Sequence, residues 1–535
     1  MSTPHSPVQF AHEHSEKQQR ADIETSAVPL DTQDVFDKGD SGIDPVYQAK
    51  ARLLNDAIQE VGMGKYQWFL FVVAGFGWFS DNLWPIVTGL ILSPVVNEFG
   101  FQGPFLKLGQ NVGLLVGAAF WGVACDVWGR KWCFNITLFI TGVFAIAAGG
   151  SPDSIALCSL AAAWSVGVGG NLPVDSAVFL EFIPASHQWL LTVLSIWWAF
   201  GQLVGSLVAW PLIANFSCAD AKNCPKSSNM GWRYFLYTMG GLMMVMFILR
   251  FFVFHLHESP KFLMGRGRDA EAVEVVQAIA KYNGTTTQLT LDLLKEVEHE
   301  AGVQETAKGD VAPIMDTGAK AAIMRKLNIF SLEHVRPLFA TKKLAYSTTL
   351  LIILWAFIGL AFPLYNGFVT FLLAIRGADF GDSSVYITYR NQVILSVIGV
   401  PGALLAGWMV ELPYLGRKGT LAISTITTGV FLFASTTART SNALLGWNSA
   451  FTFTSNIMYG VLYAVSPELF PTKDRGTGNA IVASANRVFG IMAPIIALYA
   501  NLATAVPVYV SGALFLVSGF IALLLPFEPR GKASI

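Results

Sequence analysis

The chain has 535 residues, of which 53% are hydrophobic and 13% are aromatic, while charged residues make up only 13%. A soluble domain usually carries about 25% charged residues, so this composition argues against a soluble globular protein and indicates many membrane-spanning segments. The net charge is −1 and no basic stripe with interleaved aromatic residues occurs, so no nucleic-acid partner is predicted.

The first sixty or so residues are polar and contain no long apolar run. No cleavable signal peptide precedes the first apolar segment, so we expect the N-terminus to stay in the cytoplasm. Residues 1–44 have the composition of a disordered segment. The stretch YQAKARLLNDAIQEV, within residues 45–61, is typical of a short amphipathic helix. Residues 1–64 are therefore expected to form a cytoplasmic tail that leads into the membrane.

Apolar runs of about twenty residues, the length that crosses a bilayer as a helix, predict twelve membrane-spanning helices. Their approximate limits are 66–92, 106–125, 132–150, 154–178, 189–214, 232–256, 345–373, 387–410, 420–437, 443–465, 477–500 and 505–527. A polar segment of roughly ninety residues separates the sixth span from the seventh. The predicted fold is all-α, with two pseudo-symmetric six-helix bundles over 65–256 and 343–528. A central loop with short helices is expected over 257–342 and a short C-terminal tail over 529–535.

Lysine and arginine are more frequent in the loops on one side of this predicted bundle than on the other. With the N-terminus inside, the inner side holds Arg130, Lys131, Arg417, Lys418, Lys473 and Arg475, besides basic residues that flank the central loop. Lys107, Lys222, Lys226, Arg376 and Arg439 fall in the outer loops. Because basic residues favour the cytoplasmic side of a membrane, both termini and the central loop are expected there.

The loop after the fifth span, NFSCADAKNCPKSSNMGW, would then be extracellular. Asn215 begins an N-glycosylation sequon, and Cys218 and Cys224 lie in the same oxidising compartment, where they can form a disulfide. The alternatives are an unused sequon and two free thiols. A second sequon begins at Asn283 in the central loop and is expected to stay unmodified because that loop is cytoplasmic.

Two charged motifs recur in corresponding positions of the two halves. GVACDVWGRKW follows the second span and GWMVELPYLGRKG the eighth, each with an acid near a helix end and then Gly-Arg-Lys. EFIPASHQW follows the fourth span and ELFPTKDRG the tenth. Their charged residues are Asp126, Arg130, Lys131, Glu181, Glu411, Arg417, Glu468 and Arg475. Acids that face Arg or Lys on a neighbouring helix make contacts that close one face and break when helices move, so we expect a cytoplasmic gate. The alternative is that the basic residues serve topology alone.

With these motifs the chain resembles the major facilitator superfamily. GVACDVWGRKW is similar to the signature loop between its second and third helices, and ESPKFLMGRGRDAEA at 258–272 to the segment after the sixth helix in sugar porters and organic-ion transporters. VGMGKYQW at 61–68, GVGGNLPVDSAVFLEFIP at 167–184 and SPELFPT at 466–472 resemble the branch that contains synaptic vesicle glycoprotein-related and niacin-type transporters. The resemblance covers about 58–528 and implies a twelve-helix transporter that works by alternating access.

Two charges lie deep in predicted spans. GFGWFSDNLWPI at 75–86 places Asp81 near the middle of the first span, where a charge is costly and therefore needs a role. Asp81 can serve as a proton carrier, as a counterion for a cationic substrate or as a structural carboxylate. Arg487, in the eleventh span, can pair with Asp81 or hold an anionic substrate. Asp175 is expected in the cytoplasmic network, and Arg250, near a span end, is expected to extend its charge to the membrane surface.

The resembled fold implies a central cavity lined by polar and aromatic residues of the first, fifth, seventh and tenth spans. The candidates are Asn82, Trp84, Trp197, Trp198, Tyr365, Asn366, Trp447, Asn448 and Asn456. Aromatic and amide side chains together can orient a ring-shaped or sugar-like ligand, with Tyr365 and Asn366 as the preferred pair. Ordinary packing is the alternative for each of them.

No nucleotide-binding loop and no hydrolase or zinc motif occurs, and the eight histidines show no metal spacing. The sequence therefore predicts no enzyme, cofactor or metal. It predicts a monomeric, proton-driven secondary transporter of a small organic solute, with an organic anion preferred over a sugar or a cation. The plasma membrane is the expected location, with a vacuolar or vesicle membrane as the alternative. A rival is a transporter-shaped receptor or vesicle glycoprotein that binds without turnover.

Overall fold

The computed structural model describes residues 45–187, 190–218, 224–308, 335–373, 384–410, 412, 414–470, 475–499 and 504–526. In this part of the chain all regular structure is helical and no strand occurs. Twelve long helices occupy the positions of the twelve predicted spans. They are α1 Lys65–Leu90, α2 Pro104–Trp128, α3 Arg130–Gly149, α4 Ser154–Phe182, α5 Ser195–Phe216, α6 Gly231–Ile248, α7 Lys342–Asn366, α8 Val385–Met409, α9 Gly416–Ser435, α10 Ser441–Glu468, α11 Arg475–Tyr499 and α12 Val506–Leu523.

Nine of these helices are long and apolar enough to cross a membrane by length and composition within the described residues. The other three, α2, α9 and α10, match them in length and place.

Helix α9 illustrates how a hydroxyl-rich helix fits an apolar setting. Thr420, Thr425 and Thr428 each donate a 2.6 Å hydrogen bond to the carbonyl four residues earlier in the same helix. Their polar groups are thus satisfied without water, as a bilayer requires.

The two six-helix bundles, α1–α6 and α7–α12, repeat one packing pattern. In the first bundle α2 packs on α4, α3 on α4 and α6, and α1 on α5. In the second, α8 packs on α10, α9 on α10 and α12, and α7 on α11. The bundles meet where α2 contacts α11 and where α5 contacts α8, two contacts that the repeat makes equivalent. The duplicated motifs of the sequence thus correspond to a duplicated fold.

The Gly-Arg-Lys motifs form matching turns at one end of the two bundles. Gly129 and Gly416 both adopt a positive φ, 97° and 58°, a conformation that side chains with a Cβ rarely adopt. Gly129 is the single residue between α2 and α3, whereas Gly416 is the first residue of α9, after a six-residue turn that follows α8. We call the end of the molecule with these turns the motif end, and the opposite end, with Cys218 and Cys224, the disulfide end.

Short helices cover the motif end of the first bundle. The amphipathic helix Pro45–Val61 packs on two central-loop helices, Asp269–Asn283 and Leu291–Lys308. Lys50 lies in the helix Pro45–Val61, and its Nζ donates to Asp269 at 2.6 Å and to Glu298 at 2.7 Å. These contacts hold the segment before α1 against the central loop.

Candidate transport site

Asp81 and Arg487 meet between the two bundles. Arg487 Nη2, on α11, lies 3.3 Å from Asp81 Oδ1, on α1. The carboxylate side chain is 7% exposed and the guanidinium side chain 26% exposed. This pair joins the first bundle to the second near the middle of the long axis of both helices. The sequence allowed Arg487 to pair either with Asp81 or with an anionic substrate, and in this structure it contacts Asp81.

Trp198 of α5 holds the other side of the same carboxylate. Its Nε1 donates to Asp81 Oδ2 at 3.3 Å, and the neighbouring Asn82 donates through Nδ2 to the Trp198 carbonyl at 2.8 Å. Asn82 therefore links α1 to α5. Asp81 thus has one cationic and one neutral donor, and each of its oxygens has a partner.

A cavity lies beside this pair, between the bundles. It encloses about 410 Å³ of empty space including its opening. Its polar and aromatic lining consists of Trp78, Ser195, Trp198, Asn456, Tyr459 and Tyr463. Trp198 is shared by the cavity wall and the Asp81 contact, and Tyr463 lies within electrostatic range of both charges. The charge pair is therefore part of the cavity's surroundings.

The aromatic rings of this wall contact one another. The Trp198 ring lies 5.6 Å from that of Tyr459 and 6.4 Å from that of Tyr463, between centroids. The indole Nε1 of Trp78 is buried without a hydrogen-bond partner. These features provide flat apolar surfaces and one unused donor, which suits a planar ligand with an acceptor group.

Several cavity candidates from the sequence lie elsewhere. Trp84 is fully buried and packs on Trp164 at 5.3 Å, inside the first bundle. Tyr365 donates its hydroxyl to Asn448, and both are buried inside the second bundle. Asn366 is the last residue of α7, so it lies near the disulfide end instead of mid-span. Trp84, Tyr365 and Asn448 thus lie on helix faces that point into the bundles.

The two bundles are in contact at the disulfide end. Tyr389 of α8 donates its hydroxyl to the Leu90 carbonyl at the end of α1. Asn111 of α2 donates through Nδ2 to the Gly490 carbonyl of α11 at 2.8 Å. Ser195 and Tyr463, which line the cavity, lie near the motif-end termini of α5 and α10. The cavity is therefore closed from the disulfide end and lies toward the motif end.

An ion pair of the predicted gate is present at the motif end. Arg130 Nε lies 2.5 Å from Glu181 Oε1, which joins the start of α3 to the end of α4. Lys131 and Arg417 lie in the first turns of α3 and α9. The side chains that complete the predicted gate lie outside the described residues, namely those of Asp126, Glu411, Glu468 and Arg475.

Glu258 was missed as a member of this motif-end cluster. Its carboxylate accepts the backbone N–H of Arg130 at 2.8 Å and that of Lys131 at 3.4 Å. A carboxylate at a helix N-terminus satisfies unpaired N–H groups and complements the helix dipole. The signal was the start of ESPKFLMGRGRDAEA, a motif that was noted for family resemblance but not for this contact.

Arg250 is not at the membrane surface, contrary to expectation. Its side chain and that of Asp175 are both 0% exposed, with Arg250 Nη2 2.6 Å from Asp175 Oδ2. The guanidinium also donates to the carbonyls of Val73 and Phe134. Helices α1, α3 and α4 surround it, because the π turn at Leu249–Val253 keeps Arg250 inside the bundle. Asp175 is likewise inside the first bundle rather than in the motif-end cluster.

The disulfide end contains a second buried network. Glu98, in the short helix Leu92–Phe99, accepts from Arg233 Nη2 at 2.7 Å and from Trp232 Nε1 at 2.9 Å. Cys218 and Cys224 are joined as a disulfide with a Cα–Cα distance of 5.5 Å. Asn215 is exposed in the last turn of α5.

Asn283, the second sequon residue, has a structural contact. Its Oδ1 accepts the backbone N–H of Tyr66 at 3.0 Å, and its Nδ2 donates to Gln67 Oε1 at 2.8 Å. The side-chain amide is therefore engaged with the start of α1. A glycan on this nitrogen would remove that contact.

Comparison with known proteins places these features in a family. Residues 109–528 match the family model described as "Sugar (and other) transporter". A protein of Ceriporiopsis subvermispora named "MFS siderochrome iron transporter 1" is 62% identical over 94% of this chain and 95% of its own length. The niacin transporter NiaP of Acinetobacter baylyi is 27% identical over 82% of this chain and 88% of its own. A synaptic vesicle 2-related protein of Rattus norvegicus is 23% identical over 90% and 82% of the two chains.

The fold comparison agrees with the family match. The partially occluded inward-open xylose transporter XylE of E. coli superimposes with a TM-score of 0.63, over 88% of this chain and 99% of that one, at 17% identity. At this identity the likeness concerns the fold alone. The predicted all-α, twelve-helix architecture and the predicted family resemblance are confirmed, and the relatives are transporters rather than enzymes. The chain is a multi-pass membrane protein that belongs to the sugar (and other) transporter family of the major facilitator superfamily.

Proposed function

We propose that this transporter moves a small organic anion together with a proton, and that Asp81 and Arg487 couple the two. The observation that carries the proposal is the Asp81–Arg487 pair, which joins the bundles and contacts Trp198 of the cavity wall. At this place Asp81 can exchange Arg487 for a proton, and Arg487 can exchange Asp81 for an anionic ligand. The neutral donor Trp198 keeps a contact with Asp81 when Arg487 leaves it.

The coupling follows from competition for one guanidinium. While Asp81 is ionised, it holds Arg487 and ties the first bundle to the second. Protonation of Asp81 removes its negative charge, so that Arg487 is released and its planar fork can bind a carboxylate through two parallel hydrogen bonds. Anion binding therefore favours protonation of Asp81, and the two cross the membrane together. The loss of the bundle-to-bundle ion pair at the same moment permits the bundles to move.

The aromatic wall selects the rest of the substrate. Trp198, Tyr459 and Trp78 offer flat faces and the free Trp78 Nε1 offers a donor. Flat aromatic faces with a hydrogen-bond donor, next to a guanidinium, suit a single ring with a carboxylate. A niacin transporter among the relatives handles a substrate of that description. We therefore take nicotinate as the test substrate.

The orientation, the gate and the location belong to the same proposal. The basic bias of the motif end supports a cytoplasmic location for that end, for both termini and for the central loop. Arg130 and Glu181 would hold the motif end of the first bundle ready for a gate that Asp126 and the corresponding residues of the second bundle complete when the disulfide end opens. We place the transporter, as a monomer, in the plasma membrane.

Uptake into proteoliposomes tests the function. With an inside-alkaline pH gradient, labelled nicotinate should accumulate above its external concentration, and a protonophore should abolish the accumulation. Asp81→Asn should lower proton-driven accumulation by about tenfold or more while leaving nicotinate exchange within about threefold of wild type, because the neutral amide leaves Arg487 free but carries no proton. Asp81→Asn protein that still concentrates nicotinate would exclude Asp81 as the coupling site.

Variants of Arg487 test the sign of the substrate charge. Arg487→Lys should weaken nicotinate binding about tenfold or more, because an ammonium cannot reproduce the two-bond fork. Arg487→Ala should abolish binding and leave Asp81 without its cation. If the double variant Asp81→Asn/Arg487→Ala restores folding and also keeps wild-type nicotinate affinity, Arg487 is only a partner of Asp81 and the anion proposal is wrong.

A second candidate substrate is a siderochrome. It is favoured by the 62% identical relative, whose name assigns it siderochrome iron transport. The same proteoliposomes test this substrate when a siderochrome labelled with iron-55 is added to the external solution. Uptake of the iron label, with no uptake of nicotinate, would move the assignment to this class.

A further inference from the structure

Lys107 is a buried basic residue that the transport site described above does not use. It lies near the start of α2 and is only 5% exposed. Its Nζ donates to the Pro85 carbonyl at 2.5 Å and to Gln110 Oε1 at 3.3 Å. Both acceptors are neutral, and no carboxylate of the described residues pairs with it. The sequence placed this lysine in a solvated outer loop, but the structure encloses it.

The contact between the bundles at the disulfide end covers Lys107. A Cβ added to Gly89, near the end of α1, would lie 3.2 Å from the Gly367 carbonyl, just after α7, and 3.7 Å from Lys107 Nζ. A Cβ added to Gly367 would lie 3.7 Å from Lys107 Cε. The ammonium therefore lies beside the place where the first bundle closes on the second. Separation of the bundles at this end exposes it to the solution on that side.

Gln110 adds an unused donor to the buried ammonium. Gln110 is 1% exposed, and its Nε2 has no hydrogen-bond partner. An ammonium buried without a carboxylate and an amide donor buried without an acceptor both cost free energy. A carboxylate has two acceptor oxygens and one negative charge, so it satisfies both groups at once. The missing partner of this cluster is therefore an anion.

The cluster and Arg487 lie along one interface. Asn111, next to Gln110, bonds the Gly490 carbonyl, and Gly490 is three residues from Arg487 on α11. Lys107 is four residues from Asn111 on α2, further toward the disulfide end. At 1.5 Å of rise per residue, Lys107 and Arg487 are about 10 Å apart along the helix axes. An anion can pass from one cation to the next over that distance.

We propose that Lys107 and Gln110 form an outer anion site, which binds the carboxylate of the transported solute when the disulfide end is open, before it reaches Arg487. The solute class rests on the proposed function, whereas the site rests on the cluster itself. As the disulfide end closes, the anion would leave this site for Arg487.

Protection from chemical modification tests the site without transport. Full-length protein in proteoliposomes is treated with a membrane-impermeant amine-acetylating reagent, and peptide mass spectrometry follows Lys107 and the exposed Lys226 at the same end. We expect Lys107 to react at least about tenfold more slowly than Lys226, and nicotinate to slow it a further threefold or more. Nicotinamide, the uncharged analogue, should not slow it. Complete modification of Lys226 with none at Lys107, or equal protection by nicotinamide, overturns the proposal.

The variant Arg487→Gln separates this site from the central one. Nicotinate should still protect Lys107 in that variant, and loss of protection would mean that only the central site binds anions. If nicotinate protects Lys107 in wild-type protein but wild-type protein takes up no nicotinate, the outer site stands and the proposed function is refuted. The two proposals therefore fail in different ways.

Transport kinetics give a second, directional test. Lys107→Gln should raise the KM for nicotinate presented at the disulfide end about fivefold or more and leave the KM from the motif end within about twofold, since only one side meets this site first. Lys107→Arg should restore most of the loss, and the matched variant Lys226→Gln should change neither KM. Equal changes from both sides would indicate a general structural effect and contradict the outer site.

Discussion

Replacement of Asp175 by Asn is expected to be the most destabilising polar substitution in the first bundle. In the native protein Arg250 presents two parallel hydrogen bonds to this carboxylate, Nη2 to Oδ2 at 2.6 Å and Nη1 to Oδ1 at 3.3 Å. Neither side chain has any exposed surface. The Asn amide keeps one acceptor oxygen but carries no charge, so the guanidinium is left buried and uncompensated.

The magnitude follows from the burial. Removal of one partner of a buried ion pair costs about 3–5 kcal/mol, because the remaining charge keeps its desolvation penalty. Arg250 retains carbonyl acceptors at Val73 and Phe134, and its Cζ lies 3.7 Å from the Phe134 ring centroid. These contacts place the cost near the lower end, about 3 kcal/mol. If a bundle of about 190 residues unfolds as a unit, Tm should fall by about 6–12 °C.

Thermal unfolding of purified protein in detergent, followed by tryptophan fluorescence, measures this effect. The double variant Asp175→Asn/Arg250→Met removes both charges and should recover most of the loss. The exposed pair Arg268–Glu271, with side chains 52% and 48% exposed, is the matched control. Glu271→Gln should change Tm by no more than about 2 °C. Asp175→Asn protein with wild-type Tm, or a double variant as unstable as the single one, would refute the reasoning.

Three further outcomes are expected. Arg130→Ala removes the motif-end ion pair and should increase the labelling of an introduced cysteine at that end by a thiol reagent; unchanged labelling would count against the gate. Burial raises the pKa of Glu98, but hydrogen bonds from Arg233 and its neighbours outweigh this and hold the pKa below its usual value. The stability from that pair is thus present at neutral pH and lost as the pH falls below about 4.3, so wild-type Tm should drop there more than that of Glu98→Gln. Asn215→Gln should collapse any glycan heterogeneity on a gel, whereas Asn283→Gln should leave the mobility unchanged. Asn283→Gln should instead lower Tm, because it breaks the contact of Asn283 with α1. A mobility shift in Asn283→Gln would place the central loop outside.

The sequence by itself determined where the spans lie and how the chain repeats. Whether a run of residues can cross a bilayer depends on its own length and polarity, which are local properties. The depth of Asp81 and Arg487 follows from the same runs. The Gly-Arg-Lys motifs indicated the duplicated turns because a positive φ at Gly129 and Gly416 is a requirement of the local backbone.

The partners and faces of those side chains were decided by the tertiary structure. Asp81 and Arg487 are 406 positions apart, and no local pattern distinguishes their pairing from separate roles. Arg250 and Lys107 lie close to the ends of apolar runs, which predicted contact with water, yet both are buried. The reason is that the exposure of a charge depends on what other helices cover it. Position along a helix is set by the sequence nearby, whereas the rotation of the helix and the identity of its neighbours are set by the packing of all twelve.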